Sequence, residues 1–152
     1  MTDVHDMPGH LIRRLHQISV AVFTEGMAAA QLDLTSVQFA ALWTVARHPG
    51  IDQATLAGEI AYDRATIGGV VDRLEAKGLL ARQVSDRDRR ARVLTVTDNG
   101  RAVLERAHPA VVALQDDILA GLTAPERETL LDLLRKTTMA GNSRARAPRK
   151  PG

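Results

Sequence analysis

The chain has no cysteine. Disulfides, thiolate nucleophiles, thiol-based redox sensing and cysteine zinc sites are therefore excluded. Aromatic residues make up only 3% of the 152 positions, so any ring offered to a ligand has few sources, of which the single tryptophan, Trp43, is the largest. No apolar run approaches the roughly 18 residues of a membrane span. No basic N-terminal stretch leads into an apolar segment with a small-residue cleavage site. These absences predict a cytoplasmic protein with no membrane partner. Signatures of catalysis are missing too. Five histidines, at positions 5, 10, 16, 48 and 108, show no HExxH or other close ligand spacing, and no glycine-rich phosphate loop follows a strand. The acids read mainly as helix caps and helix surface. The expectation is a protein that is not an enzyme and has no cofactor and no metal.

With 45% hydrophobic and 25% charged residues, the composition is that of an ordinary globular domain. Its net charge of +2 is unevenly laid out. The tail from Ser143 to Gly152 holds Arg144, Arg146, Arg149 and Lys150 and no acid, so removing those four positive charges leaves the body at −2. Residues 1–7 and 140–152 read as flexible termini, too short of apolar surface to order themselves.

Between them the apolar spacing is mostly helical. Pro8 suits the first turn of a helix in which Leu11, Ile12, Leu15, Ile18 and Val22 recur at three- and four-residue steps through about Gln31. Thr35 can cap a second helix that His48-Pro49-Gly50 closes. Asp52 can cap a short third helix and Asp63 a fourth, running to Lys77 and ending at Gly78. On the fourth, Ile67, Val70, Val71 and Leu74 share one face, which leaves Arg64, Thr66, Gly68, Gly69, Asp72 and Arg73 to the other. Thr97 can cap a long helix to about Ala120, which Pro109 is expected to bend or break. Thr123-Ala124-Pro125-Glu126 reads as a capping box for a last helix to about Met139.

One segment breaks this helical run. Leu79 to Val84 is a strand-like run, Arg92 to Val96 has the two-residue alternation of a strand, and five arginines lie from Arg82 to Arg92 beside Asp86 and Asp88. A hairpin of this charge, +3 over the segment, suits phosphate. It could equally be a salt-bridged surface turn. A short helix, a tight turn, a second amphipathic helix and then a basic hairpin is the order of a winged helix-turn-helix, in which the second helix enters the major groove and the hairpin reaches the backbone and adjacent minor groove. Asp88 is expected to brace the Arg90 side chain through a bidentate pair. The adjacent Gly68 and Gly69 cost the fourth helix roughly 1 kcal/mol each against alanine. They allow either close packing or close backbone approach to DNA.

From Pro8 to Met139 the chain resembles the MarR family of bacterial transcription regulators. The resemblance is sharpest at Asp88, Arg90, Leu94, Val96, Thr97 and Gly100 in the wing, and at Val71-Asp72-Arg73-Leu74-Glu75-Ala76-Lys77-Gly78-Leu79 at the end of the fourth helix. It implies a mainly α fold with a small β-wing: a winged helix-turn-helix over 35–97, and a helical dimerisation region over 8–34 and 98–139 whose terminal helices intertwine in a homodimer. The implied partner is double-stranded DNA carrying a pseudo-palindromic operator. By position, Arg90 is expected in the minor groove with Asp88 orienting it; Arg64, Thr66 and Arg73 at the major groove or phosphates; and Arg87, Arg89 and Arg92 at phosphates or as counter-charges.

The family often senses small aromatic acids or phenols. His10 and Arg14, four residues apart on one helix face, could hold a carboxylate while Trp43 stacks on a ring, with His16 and Arg13 as second choices. The function so implied is a homodimeric repressor released from its operator by a small aromatic carboxylate or phenolic ligand. A ligand-insensitive regulator and an architectural DNA-binding protein are the alternatives.

Overall fold

The structure, a computed structural model, describes residues 1–151. After a 3-10 turn at Val4–Asp6, the chain forms α1 (Pro8–Ala29), α2 (Ser36–Arg47), β1 (Ile51–Asp52), α3 (Gln53–Glu59), α4 (Arg64–Ala76), β2 (Leu80–Val84), β3 (Arg92–Val96), α5 (Asp98–Ile118) and α6 (Ala124–Ala140). Local chemistry sets the helix starts. Thr35 accepts the Gln38 amide at 3.2 Å while the Gln38 side chain accepts the Thr35 amide at 3.2 Å, closing a reciprocal box at the head of α2. Asp52 and Asp63 accept the Thr55 and Thr66 amides at 2.7 and 2.8 Å, and Thr97 and Thr123 cap α5 and α6. Each satisfies an amide that the first helical turn leaves without an internal partner.

The sheet has three antiparallel strands, in the order β1-β3-β2. Two were expected, as the arms of the basic hairpin; β1 is two residues long, too short to show a period, and pairs Ile51 with Leu94. It ties the end of α2 to the wing. Below it, Leu42, Val45, Leu56, Val71, Leu74 and Leu94 from four helices and strands are fully buried and form the core of the lobe. At the base of the wing, Thr97 donates its hydroxyl to the Gly78 carbonyl at 2.6 Å, and Gly100 comes so close that a Cβ there would collide with the Leu79 carbonyl oxygen. The glycine in the wing motif is thus set by packing.

Outside the lobe, α1 and α5 pack along each other through Phe23, Met27, Leu104, Val111 and Leu114. Pro109 neither breaks nor interrupts α5, which is continuous from Asp98 to Ile118. A helix-interior proline costs about 3 kcal/mol, whereas burying Leu104, Val111 and Leu114 gains about 1.5–3 kcal/mol each, so the packed face holds the helix through the defect. Helix α6 buries no residue at all. Along the helical region Leu11, Ile12, Ile18, Val112, Leu131, Leu133 and Met139 stay exposed.

The terminal segments expected to lack order have defined contacts. Asn142–Arg144 form a 3-10 turn, and the chain beyond lies against α3. There Arg146 and Arg149 pair with Asp63 and Glu59 of the lobe.

Candidate nucleic-acid interface

The first turns of α3 and α4 and the far side of the wing face one another across an open cleft of about 460 Å³. It is lined by Asp52, Gln53, Arg64, Asp88, Arg90 and Arg92 among others. Arg64, Thr66 and Arg73 are all exposed on α4, on the face opposite the buried Ile67, Val70, Val71 and Leu74. The structure therefore brings Arg64 of the helix and Arg90 and Arg92 of the wing to one cleft, while Thr66 and Arg73 lie further along the helix surface. Arg87 and Arg89 are exposed in the turn between the strands.

That turn is held by its own backbone. Ser85 donates its amide to the Ala91 carbonyl at 3.0 Å, and its hydroxyl oxygen accepts the amides of Arg87 and Asp88 at 3.2 and 3.4 Å. Asp88 then accepts the Arg90 backbone amide at 2.9 Å. The expected bidentate pair with the Arg90 guanidinium is not formed; Asp88 fixes the backbone from which Arg90 projects. Two residues of separation in a tight turn put the amide, not the long side chain's end, within reach of the carboxylate. The Arg90 guanidinium stays available for phosphate or a groove.

One arginine of the basic segment has a different task. Arg82 donates to Asp72 at 2.5 Å and Glu75 at 3.4 Å on α4, and to Gln53 at 3.3 Å at the start of α3. The hydrogen bond to Asp72, with the Glu75 charge behind it, raises its pKa further above the ordinary arginine value. Arg82 is a strut that fixes the wing's angle to α4. Its partners lie 7, 10 and 29 positions away in sequence, which no local pattern reveals.

The two glycines of α4 are not explained by packing. A Cβ on Gly68 would meet only Gln53 Nε2 at an ordinary 3.5 Å, and one on Gly69 would meet nothing within 4 Å. Acids also sit at this face. Hydrogen bonds from the Thr66 amide and hydroxyl, with the Arg146 charge nearby, hold the Asp63 carboxyl below the usual carboxylate range. Partial burial opposes ionisation of Asp52, but the Thr55 amide and hydroxyl and the Lys150 charge outweigh it and lower its pKa.

The ligand candidates lie elsewhere, on the helical region. His10 packs edge-on against His5, with ring centroids 5.0 Å apart, and its Nε2 is buried without a hydrogen-bond partner. Arg14 is exposed one turn further along α1, as are the second choices Arg13 and His16. Trp43 is half-buried in a ring stack, 6.0 Å from Phe39 and 4.5 Å from His108 at an interplanar angle of 3°. His108, on α5, was not expected beside Trp43, because 65 residues separate them and only the packing of α5 on α2 brings them together.

A second helix whose polar face lies bare beside a rigid cationic hairpin is built to meet the backbone and groove of a duplex, and the class is that of a winged helix-turn-helix DNA-binding protein. Comparison with known proteins agrees. The MarR family profile matches residues 34–91. The chain is 36% identical over 134 residues to the HTH-type transcriptional repressor NicR of Pseudomonas putida, covering 88% of this chain and 84% of the relative. Among solved structures it is similar to BpsR of Bordetella bronchiseptica, whose DNA binding is regulated by 6-hydroxynicotinic acid. That match has a TM-score of 0.84 and 32% identity and covers 91% of this chain and 97% of the other. It is also similar to PcaV of Streptomyces coelicolor in complex with its natural ligand, with a TM-score of 0.81, 33% identity and coverage of 93% and 98%. The chain belongs to the MarR family and is a DNA-binding transcriptional regulator of that type.

Proposed function

We propose that the protein is a homodimeric repressor that leaves a pseudo-palindromic operator when a small aromatic carboxylate binds it. The observation that carries the dimer is the open apolar surface of α1, α5 and α6: Leu133 and Met139 are 56% and 80% exposed, and no residue of α6 is fully buried. Exposed apolar side chains on three helices of one region are covered by a second copy of the same surface in this reading. Two lobes joined through these helices meet successive major grooves roughly 34 Å apart, so a modest rotation of the lobes breaks the register.

In this reading Arg64, Thr66 and Arg73 face the major groove or its phosphates. Arg90 enters the minor groove on the turn that Asp88 holds, and Arg87, Arg89 and Arg92 meet phosphates. The effector's carboxylate is taken by His10 and Arg14, and its ring by Trp43. The unpartnered buried Nε2 of His10 supports this placement, since a buried polar nitrogen normally has a partner. The regulation of BpsR by an aromatic carboxylic acid supports the chemical class. A ligand of this kind releases DNA only by binding the DNA-incompatible arrangement more tightly.

The test is fluorescence anisotropy on the DNA upstream of the gene and on a scrambled duplex at the same salt, with 6-hydroxynicotinic acid and a panel of aromatic carboxylates. Selective binding reversed by one of these compounds is expected. Selective binding that none of them reverses would remove the effector from the account. Equal binding to both duplexes would replace the repressor with an architectural protein.

A further inference from the structure

The C-terminal tail is anchored on the reading head of the lobe. Asn142 pinches it into a loop, its Nδ2 donating to the Arg149 carbonyl at 2.8 Å and its Oδ1 accepting the Arg149 amide at 2.9 Å. From that loop Arg149 Nε donates to Glu59 at 3.0 Å and Lys150 Nζ to the Thr55 hydroxyl at 3.3 Å, both on α3. Arg146 comes within 3.8 Å of Asp63, the cap of α4. The Pro148 carbonyl lies so near Gly58 that a Cβ there would stand 2.8 Å from it, so the tail's seat is shaped by a glycine. Ala145, Arg146 and Ala147 share a shallow pocket with Tyr62, Asp63 and Thr66 at the start of α4.

The charges explain what this seat does. Asp52, Glu59 and Asp63 are carboxylates on the helix pair that must approach a polyanion, and each would repel phosphate. Arg146, Arg149 and Lys150 lie beside Asp63, Glu59 and Asp52 and offset their charge, and Arg144 adds a fourth cation to the tail. Two of the four retain open donors: Arg146 is 87% exposed and too far from Asp63 for a hydrogen bond, and Arg144 makes no ion pair among the described residues.

We propose that the tail is a third DNA-contacting element beside the recognition helix and the wing: latched to α3 by Arg149 and Lys150, it masks the acids of the reading head and presents Arg144 and Arg146 to the phosphate backbone. Its contacts are with phosphate, so they add affinity without adding sequence preference.

The experiment compares the full-length protein with its Arg144→Gln, Arg146→Gln double variant on a short random-sequence duplex over a range of salt concentrations. Each phosphate neutralised contributes about 0.9 to the slope of log K against log salt, so losing two cations makes the slope shallower by roughly 2 for each bound subunit. Affinity at low salt falls about tenfold or more, while the thermal melting curve is unchanged because both side chains are exposed. An unchanged slope would reduce the tail to a surface extension. Tighter binding by the double variant would show that the tail obstructs DNA, and would overturn the proposal. A second variant, Arg149→Gln, releases the latch while keeping Arg144 and Arg146. A loss of affinity with it is expected, and full retention would show that the docked position is irrelevant.

Discussion

The winged lobe and the helical region treat their apolar residues in opposite ways. In the lobe, Leu42, Val45, Leu56, Val71, Leu74 and Leu94 have no exposed surface, and the exposed face of α4 is polar. In the helical region α1 and α5 bury one face against each other, yet Ile12, Val112 and Leu133 remain more than half exposed. Similar side chains, at similar helical spacing, end up closed in one region and open in the other. The difference lies in topology. In the lobe the sheet and three helices surround the shared core, whereas α1 and α5 pack on each other and α6, none of whose residues is fully buried, leaves apolar side chains exposed. The lobe closes its own core, and the helical region leaves apolar side chains open, which is what the proposed homodimer would cover.

The largest expected effect comes from breaking that second half. Leu133→Glu places a charge on a residue that touches no core, so a single chain tolerates it, with stability changed by no more than about 0.5 kcal/mol. In a dimer the same charge is buried, so light scattering should show monomers and operator binding should be lost. A variant that stays dimeric would show that the seam lies elsewhere.

Next is Arg90→Ala. It leaves the amide that Asp88 accepts in place. The turn therefore keeps its shape, and the cost falls on DNA: about 1–3 kcal/mol for each subunit, read as a loss of anisotropy affinity at fixed salt with an unchanged melting curve. Normal affinity would take the wing's tip out of the interface.

Arg82→Ala probes the strut and should affect both regions of the lobe. Its partners Asp72 and Glu75 are 62% and 43% exposed, so water screens the pairs and the stability loss is about 1 kcal/mol. DNA affinity should also fall, because the wing is no longer held at a fixed angle to α4. A stability loss without a change in affinity would make Arg82 purely a fold residue.

The smallest effect is a gain. Gly69→Ala should stabilise the protein by about 1 kcal/mol in denaturant unfolding, since a methyl group there meets nothing and helix propensity improves. If the backbone at Gly69 must come close to the duplex, affinity falls while stability rises. Unchanged affinity would leave the glycine without a role in binding.

These contrasts also mark what the sequence made legible. Thr35, Asp52, Asp63, Thr97 and Thr123 all cap the helices they were expected to cap, because a cap is a bond across three residues and its chemistry is local. The second wing strand was legible from its alternation, the first from its strand-like run before the basic turn, and the exposed face of α4 from its period. Four features were not. β1 is too short to have a period. The Arg82 strut and the stack of Trp43 on His108 join residues far apart in sequence, and the tail's seat on α3 depends on acids some 90 positions upstream. In the wing Asp88 and Arg90 do bond, but not as expected: the carboxylate takes the Arg90 amide and not its guanidinium.

The central claim is that the reading head is complete within one chain and the helical region is not. The most direct test is the solution mass of the purified protein, without DNA, by sedimentation equilibrium. The account predicts twice the 16.5 kDa chain mass across the micromolar range. A single-chain mass at those concentrations would contradict it.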